Sequence, residues 1–318
     1  MRLKFYREDM KRRDFFITAG MTSLATLANR NASAQTKSFS GKVETAADLN
    51  NYLRSIYQNL AVPFDADEVI VGDPKTKIKK VATMWMPYFS EIKKAQSLGI
   101  NVLIVHEPTF YTYKDLDPKH KKEYAWASQT VQDRYNEAVE VKKKFILDNG
   151  MAIIRCHDML DAAKTFGIPF AFGRAIGLSE KDVIDSKTYY NLYKIKTDKA
   201  VNVARKIAKA AKKLGQPGVE FYGDENYQVS TIGIGTGAIS SPLSIGVLNP
   251  DLTISITDTV RAWVEPAFAK DTGKPLIIFN HGATEESGMV ELTEYLKQNV
   301  PSIDFTHFFQ GCAYKWIS

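Results

Sequence analysis

The sequence has no long apolar run and few cysteines, and each shortage excludes a class of protein. No stretch approaches the roughly 18 uninterrupted apolar residues that a membrane helix needs, so we expect no membrane span. The two cysteines, Cys156 and Cys312, are too far apart in the chain for the CxxC pattern of redox and zinc-knuckle proteins. Cys156 lies in an apolar run, which favours a buried free thiol; a disulfide between the two cysteines is the alternative.

The first 34 residues differ from the rest of the chain. Basic residues precede a mild apolar run from Phe15 to Ala28, and small residues at 32–34 follow it, which is the pattern of a signal peptide. Residues 11–16, with the sequence KRRDFF, resemble the twin-arginine export motif. We therefore expect a twin-arginine-type signal peptide over 1–34, a flexible leader over 35–45 and a periplasmic or secreted protein. A basic amphipathic N-terminal helix is the alternative.

The charge of the remaining chain argues against a nucleic-acid partner. Of the 42 basic and 36 acidic residues, seven and three lie in residues 1–34, so residues 35–318 hold 35 basic and 33 acidic side chains. A nucleic-acid binder concentrates far more positive charge on one surface. With 44% hydrophobic and 25% charged residues, the composition is that of a soluble globular protein, and we expect neither a nucleic acid nor a membrane as partner.

Apolar segments of strand length alternate with segments of helical period, which is typical of an α/β protein. The first series predicts a helix from Ala46, strands at 68–71, 79–85, 102–105 and 152–155, and helices at 89–97 and 131–148. The second series predicts strands at 192–196, 229–234, 252–256, 276–280 and 303–308, and helices at 199–214 and 286–298. Polar residues at 179–188 separate the two series. We place the two α/β halves at 46–182 and 183–318.

Two pairs of chemically active side chains follow predicted strands. His106 and Glu107 come directly after the strand at 102–105. His281 follows the strand at 276–280, and Glu285 lies four residues later at the start of a helix, where positions i and i+4 face one side. Open α/β sheets collect ligands at such strand ends. Each pair alone is as consistent with a hydrogen-bonded strand end as with a binding site.

A third pair, His157 and Asp161, follows the strand at 152–155. Imidazole and carboxylate groups together suit zinc, manganese or iron(II), and the shortage of cysteine excludes a thiolate site. If the three pairs converge, their carboxylates would repel one another unless cations neutralised them. The combination therefore predicts a metal site.

The order of these motifs resembles the Nif-three-like family, also labelled GTP cyclohydrolase I type 2-like. The resemblance runs from about residue 47 to residue 318 and rests on Gly72-Asp73-Pro74 and on residues 103–108 (LIVHEP), 157–163 (HDMLDAA) and 281–285 (HGATE). It implies two similar α/β halves with mixed sheets flanked by helices and a metal cleft between them. It also implies a dinuclear centre of divalent ions (zinc, manganese or iron), and a toroidal homohexamer.

The ligand motifs of that family map onto five residues here: His106, Glu107, Asp161, His281 and Glu285. Two positions depart from the family pattern, because Glu107 replaces the second histidine of a His-His-Pro turn and Asn280 replaces a glycine. A carboxylate at position 107 makes the site harder, which favours manganese or iron over zinc.

These features predict a metal-dependent hydrolase that acts on an unknown small molecule. His157 or Glu286 would be the proton carrier. The alternative function is a non-catalytic metal-binding protein or scaffold oligomer. The glycine-rich segment 233–237 lacks the lysine of a phosphate-binding loop, and we expect a tight turn near the metal cleft there.

Overall fold

The computed structural model describes residues 41–57, 60, 62, 65–164, 167–315 and 317. The expected signal peptide and residues 35–40 of the expected leader lie outside the described residues. The end of that leader is part of the fold: the Ile78 N–H donates to the Glu44 carbonyl at 2.9 Å, and Thr45 forms a capping box with Asp48. The Thr-x-x-Asp spacing satisfies free backbone N–H groups at the start of the first helix, which explains its order.

The helices, numbered along the described chain, are α1 (Ala46–Ile56), α2 (Phe89–Ser97), α3 (Gln129–Asp148), α4 (Asp158–Ala162), α5 (Ile168–Ala175), α6 (Ala200–Ala211), α7 (Pro242–Ile245), α8 (Glu265–Thr272) and α9 (His281–Asn299). The strands are β1 (Val69–Val71), β2 (Val81–Met84), β3 (Val102–Val105), β4 (Ala152–Arg155), β5 (Val183–Ser186), β6 (Tyr190–Lys199), β7 (Glu220–Tyr222), β8 (Gln228–Gly235), β9 (Leu252–Ile256), β10 (Leu276–Phe279) and β11 (Phe305–His307).

The first sheet has five strands in the order β1-β4-β3-β2-β11. Strands β4, β3, β2 and β11 are parallel, and β1 is antiparallel to β4. Helices cover both faces: Ile104 packs with Leu49 of α1, and Leu103 packs with Ile146 of α3. Burial on both faces explains why β3 is an uninterrupted apolar run.

The second sheet has six strands in the order β5-β6-β8-β9-β10-β7. Its centre, β8, β9 and β10, is parallel, while the outer strands pair antiparallel. Val203 and Ile207 of α6 pack on it, so the lysine-rich helix presents its apolar side to the sheet. Both sheets are thus mixed and flanked by helices, which confirms the predicted fold class.

Helix α9 joins the two sheets. Ala283, near its start, packs in the core of the second sheet, whereas Met289 and Leu292 pack in the core of the first. The last strand also crosses between the sheets. Although chain order groups β11 with the second half, it pairs in parallel with β2, because α9 delivers the chain beside the first sheet.

The predicted bounds match most closely where helices and strands are regular. The strands at 102–105, 152–155 and 252–256 and the helix at 89–97 have the predicted bounds. The helix expected at 286–298 instead begins at His281, where the Asn280 side chain accepts from the Ala283 N–H and caps it. The earlier start places His281 and Glu285 on successive turns of one helix.

Within the described residues, no helix has both the length and the apolar character that crossing a membrane requires. Cys156 is buried, Cys312 is half-buried, and both are free thiols.

Candidate metal centre

The three predicted pairs of side chains meet where parallel strands of the two sheets end. His106 and Glu107 follow β3, Asp161 lies in α4 after β4, and His281 and Glu285 lie in the first turns of α9 after β10. The carboxyl ends of parallel strands lie at one edge of a sheet, so each sheet presents its ligands at one edge. Helix α9 packs on both sheets, and its first turns thereby bring the two edges together.

The side-chain atoms of these five residues lie within a few ångströms of one another. His106 Nε2 is 3.2 Å from Glu285 Oε2 and 3.6 Å from Asp161 Oδ1. His281 Nε2 is 3.0 Å from the same Glu285 oxygen and 3.2 Å from Glu107 Oε1. The sequence-predicted set therefore forms one cluster, with the Glu285 carboxylate at its centre.

Three buried polar atoms of the cluster have no hydrogen-bond partner among the described residues: His106 Nε2, His281 Nε2 and Glu285 Oε1. The two imidazole nitrogens lie 3.2 and 3.0 Å from Glu285 Oε2, so both approach the same carboxylate oxygen. An unpartnered buried polar atom is costly, and three in one cluster call for a common ligand. Atoms of His106, Glu107 and Glu285 lie close enough together to hold one ion, and imidazole nitrogens with carboxylate oxygens are a donor set that fits a divalent cation.

The cluster attracts positive charge strongly. Burial alone would lower the pKa of His106, but the carboxylates of Glu285 and Asp161 outweigh it and raise that pKa to about 10. The pKa of His281 also lies well above its ordinary value despite burial, because of Glu285 and Asp258. Burial opposes ionisation of Glu285, but the two imidazoles hold the pKa of that carboxyl well below its usual range. Without a metal ion, protons on the imidazoles balance the carboxylates, and a cation would displace those protons.

Three further side chains hold the ligands in place, and each follows a parallel strand. The indole N–H of Trp85, after β2, donates to Glu285 Oε2 at 2.8 Å. The hydroxyl of Thr236, after β8, donates to Asp161 Oδ1 at 2.6 Å. The carboxylate of Asp258, after β9, lies 2.9 Å from His281 Nδ1. These contacts fix ligand orientation, and position after a strand is the sequence signal that could have identified them.

The glycine-rich segment 233–237 leaves room beside the side chains of Glu285 and His281. Gly237 has φ +43°, and a Cβ built on it would lie 2.8 Å from Glu285 Oε1 and 3.4 Å from His281 Nε2. Two of the three unpartnered atoms therefore face this glycine. A side chain at position 237 would occupy the space into which these atoms point.

His157 lies beside the cluster without completing it. Its ring stacks on His106 with centroids 4.5 Å apart and an interplanar angle of 18°. The lone pair of an imidazole lies in the ring plane, so two nearly parallel stacked rings cannot both direct a nitrogen at one ion. Its Nδ1 lies 2.8 Å from Asp158 Oδ1, and its backbone N–H donates to Asp67. Nδ1 also lies 3.7 Å from Asp161 Oδ2, so His157 borders the metal site on the Asp161 side.

Glu286, the other predicted proton carrier, faces away from the cluster. Its buried carboxylate accepts hydrogen bonds from the backbone N–H groups of Gln310 and Gly311 and lies 2.6 Å from His307 Nε2. Neighbouring residues on a helix point about 100° apart, so Glu285 and Glu286 cannot share one pocket. His120, the remaining histidine, lies on the surface beside Glu123.

Comparison with known proteins identifies the fold and its family. The family model described as Duf34/NIF3 (NGG1p interacting factor 3) matches residues 45–312. The chain belongs to the Duf34/NIF3 family. The match confirms the resemblance drawn from the sequence motifs. No curated protein matches the chain significantly.

Several solved structures share the NIF3 fold over nearly their whole length. Hypothetical protein SA1388 of Staphylococcus aureus has a TM-score of 0.65 at 15% identity, covering 86% of this chain and 99% of that one. A Bacillus cereus protein related to NIF3 has a TM-score of 0.65 at 13% identity, covering 87% and 100%. Reduced HcgD from Methanocaldococcus jannaschii has a TM-score of 0.60 at 19% identity, covering 84% and 99%. At these identities the similarity establishes the fold alone.

Proposed function

We propose that this NIF3 protein is a hydrolase that depends on two divalent metal ions per chain, held by His106, Glu107, Asp161, His281 and Glu285. The observation that supports it is the convergence of three unpartnered buried atoms with three carboxylates. A cluster built only for stability would pair its buried polar atoms within the protein.

Bound divalent ions at this position would supply Lewis-acid activation of a water molecule and of a phosphoryl or carbonyl oxygen. The chain itself orients the ligands: Trp85, Thr236 and Asp258 each form a hydrogen bond to a different ligand side chain. Such supporting contacts keep the donor atoms aligned before a substrate arrives.

We assign the proton transfer to His157 rather than to Glu286. Asp158 Oδ1 accepts from Nδ1 of His157 and from the hydroxyl of Tyr113, which orients the imidazole and leaves Nε2 to exchange a proton. The His157 side chain is 16% exposed, so a substrate can reach it beside the ligands. The Glu286 carboxylate lacks such access, because its residue is fully buried and its oxygens already accept hydrogen bonds.

We propose manganese or iron(II) as the resident metal. Three carboxylates and two imidazoles form a harder donor set than one with a third imidazole at position 107. No cysteine sulfur takes part among the described residues, since Cys156 lies behind His106 and contributes only its carbonyl oxygen to His106 Nδ1, at 3.1 Å.

The test is metal analysis followed by an activity screen. Purified protein is loaded with manganese, iron(II) or zinc, its metal content per chain is measured, and phosphoesters, cyclic nucleotides and amides are offered as substrates. We expect two ions per chain, and turnover that the Glu107→Ala, Asp161→Ala double variant lacks. Metal binding without turnover above that variant would contradict hydrolysis and support a storage or scaffold role.

We also propose, from the sequence and the family resemblance, export by the twin-arginine route and a homohexamer. Export of a folded chain would allow the metal to be inserted before secretion. Mature protein from the native host should begin at Gln35 and lie outside the cytoplasm. Light scattering should give six chains per particle, and a monomer at micromolar concentration would contradict the hexamer.

A further inference from the structure

Residues 305–313, near the C-terminal end of the chain, lie across the start of α9 and are here called the C-terminal strap. The Ala313 N–H donates to the Asn280 side chain at 3.0 Å, and that side chain also caps α9. The Gly311 N–H donates to Glu286 Oε2 at 2.8 Å. The strap therefore binds α9 immediately before His281 and immediately after Glu285, the two ligands that this helix contributes.

The strap also contacts the strand end beside the metal site. The Gln310 side chain forms two hydrogen bonds with the backbone of Met86, each 2.7 Å long. Met86 follows Trp85, whose indole donates to Glu285. A Cβ on Gly282 would lie 2.8 Å from the Gly311 carbonyl and 2.9 Å from the Trp85 ring. Glycine at position 282 thus allows strap, indole and helix to pack in close contact.

The strap is anchored by a buried hydrogen-bond chain whose proton positions can be deduced. The Thr293 hydroxyl donates to the Met289 carbonyl at 2.6 Å, so Thr83, 2.5 Å away, must donate to Thr293. Having used its only proton, Thr83 must accept from His307 Nδ1 at 2.9 Å. His307 Nε2 and Glu286 Oε1 are 2.6 Å apart, which requires one further proton between them.

The Glu286–His307 pair is therefore neutral as a unit, either as imidazolium with carboxylate or as imidazole with carboxylic acid. That neutrality explains how a fully buried glutamate is accommodated one residue after a metal ligand. Glu286 also holds the strap in place, because its carboxylate contacts three strap residues among those described: His307, Gln310 and Gly311.

We propose that Glu286 and His307 are positioning residues: they hold the strap against α9 and thereby fix His281 and Glu285 for the ion that these share with Glu107. His106 and Asp161 follow β3 and β4, so the ion on their side shares only Glu285 with the ligands that the strap holds and should depend on the strap less. This inference rests on the proposed two-ion site.

The experiment measures the affinity of each manganese position by equilibrium dialysis and metal analysis, using the full chain. In Glu286→Ala, one manganese should bind about 10- to 100-fold more weakly while the other is retained, the usual cost of removing a residue that orients a ligand. Glu286→Gln keeps the side-chain volume, but its amide nitrogen would face the backbone N–H of Gln310 or Gly311, so it should restore the affinity only in part. Gln310→Ala, which loses only the Met86 contacts, should weaken the same position by less, and it keeps the test valid if Glu286→Ala does not fold.

The matched control is Leu292→Ala, a cavity-forming change in the buried part of the same helix that removes none of the strap's hydrogen bonds. It should lower the melting temperature but leave both manganese affinities unchanged. Manganese binding that is unchanged in both Glu286→Ala and Gln310→Ala would overturn the inference. Equal weakening of both manganese positions in these variants and in Leu292→Ala would also overturn it. If wild-type protein bound no metal, the proposed function itself would fail, and the inference with it.

Discussion

At the scale of single residues, the metal cluster depends on atoms that have no partner within the protein. Among the described residues, His106 Nε2, His281 Nε2 and Glu285 Oε1 are buried and unpartnered, and both imidazoles lie beside the Glu285 carboxylate. The sequence predicted the identity of these residues because each follows a strand. No motif marks the supporting groups Trp85 and Asp258, and their one sequence signal is that each follows a parallel strand.

Gly237 gives a test at this scale. Replacing it with alanine would put a methyl group 2.8 Å from Glu285 Oε1, at a backbone φ of +43° that alanine rarely adopts. We expect manganese binding to weaken by at least about tenfold, measured by titration calorimetry. Gly246→Ala is the matched control, since a Cβ there meets nothing within 4 Å. Equal affinities in the two variants would show that the cluster does not bind metal beside Gly237.

At the scale of secondary-structure elements, the loop between β3 and α3 is held by buried charges that the sequence did not indicate. Arg155 donates to the carbonyls of His106 and Tyr113, and Lys142 donates to the carbonyl of Thr109. Asp115 accepts from two backbone N–H groups of the same loop and lies 3.7 Å from Arg155. The contacts of Arg155 and Lys142 join residues 33 to 49 positions apart in the chain, so no local pattern could predict them.

The pH dependence of stability tests this loop. Burial raises the pKa of Asp115 to about 6, despite Arg155, from the 3.8 of a free aspartate. Between these values the folded chain binds the proton more tightly than the unfolded chain, so the free energy of unfolding should fall as pH rises from about 4 to about 6. Asp115→Asn should remove roughly 3 kcal/mol of that dependence.

Urea unfolding of wild type and Asp115→Asn at several pH values across this window measures the effect. Asp117→Asn, an exposed change in the same loop, should leave the wild-type dependence intact. Parallel curves for wild type and Asp115→Asn would contradict the assignment of a raised pKa to Asp115.

At the scale of the whole molecule, the alternation of strands and helices was sufficient to predict two α/β units. Runs such as Val102–Val105 signal strands buried on both faces, and their bounds were predicted correctly. Strand order could not be read in this way. Strand β11 pairs with the first sheet because α9 ends beside that sheet. This long-range packing leaves no periodic signal in the sequence. Helix α9 starts earlier than predicted because the Asn280 side chain caps it. The family pattern has glycine at this position.

The account predicts that both sheets contribute ligands to one dinuclear centre, and anomalous X-ray diffraction from manganese-loaded crystals tests this most directly. Two anomalous peaks should appear between the β3 end and the start of α9, within coordination distance of His106, Glu107, Asp161, His281 and Glu285. Manganese peaks elsewhere with none among these five side chains would contradict it.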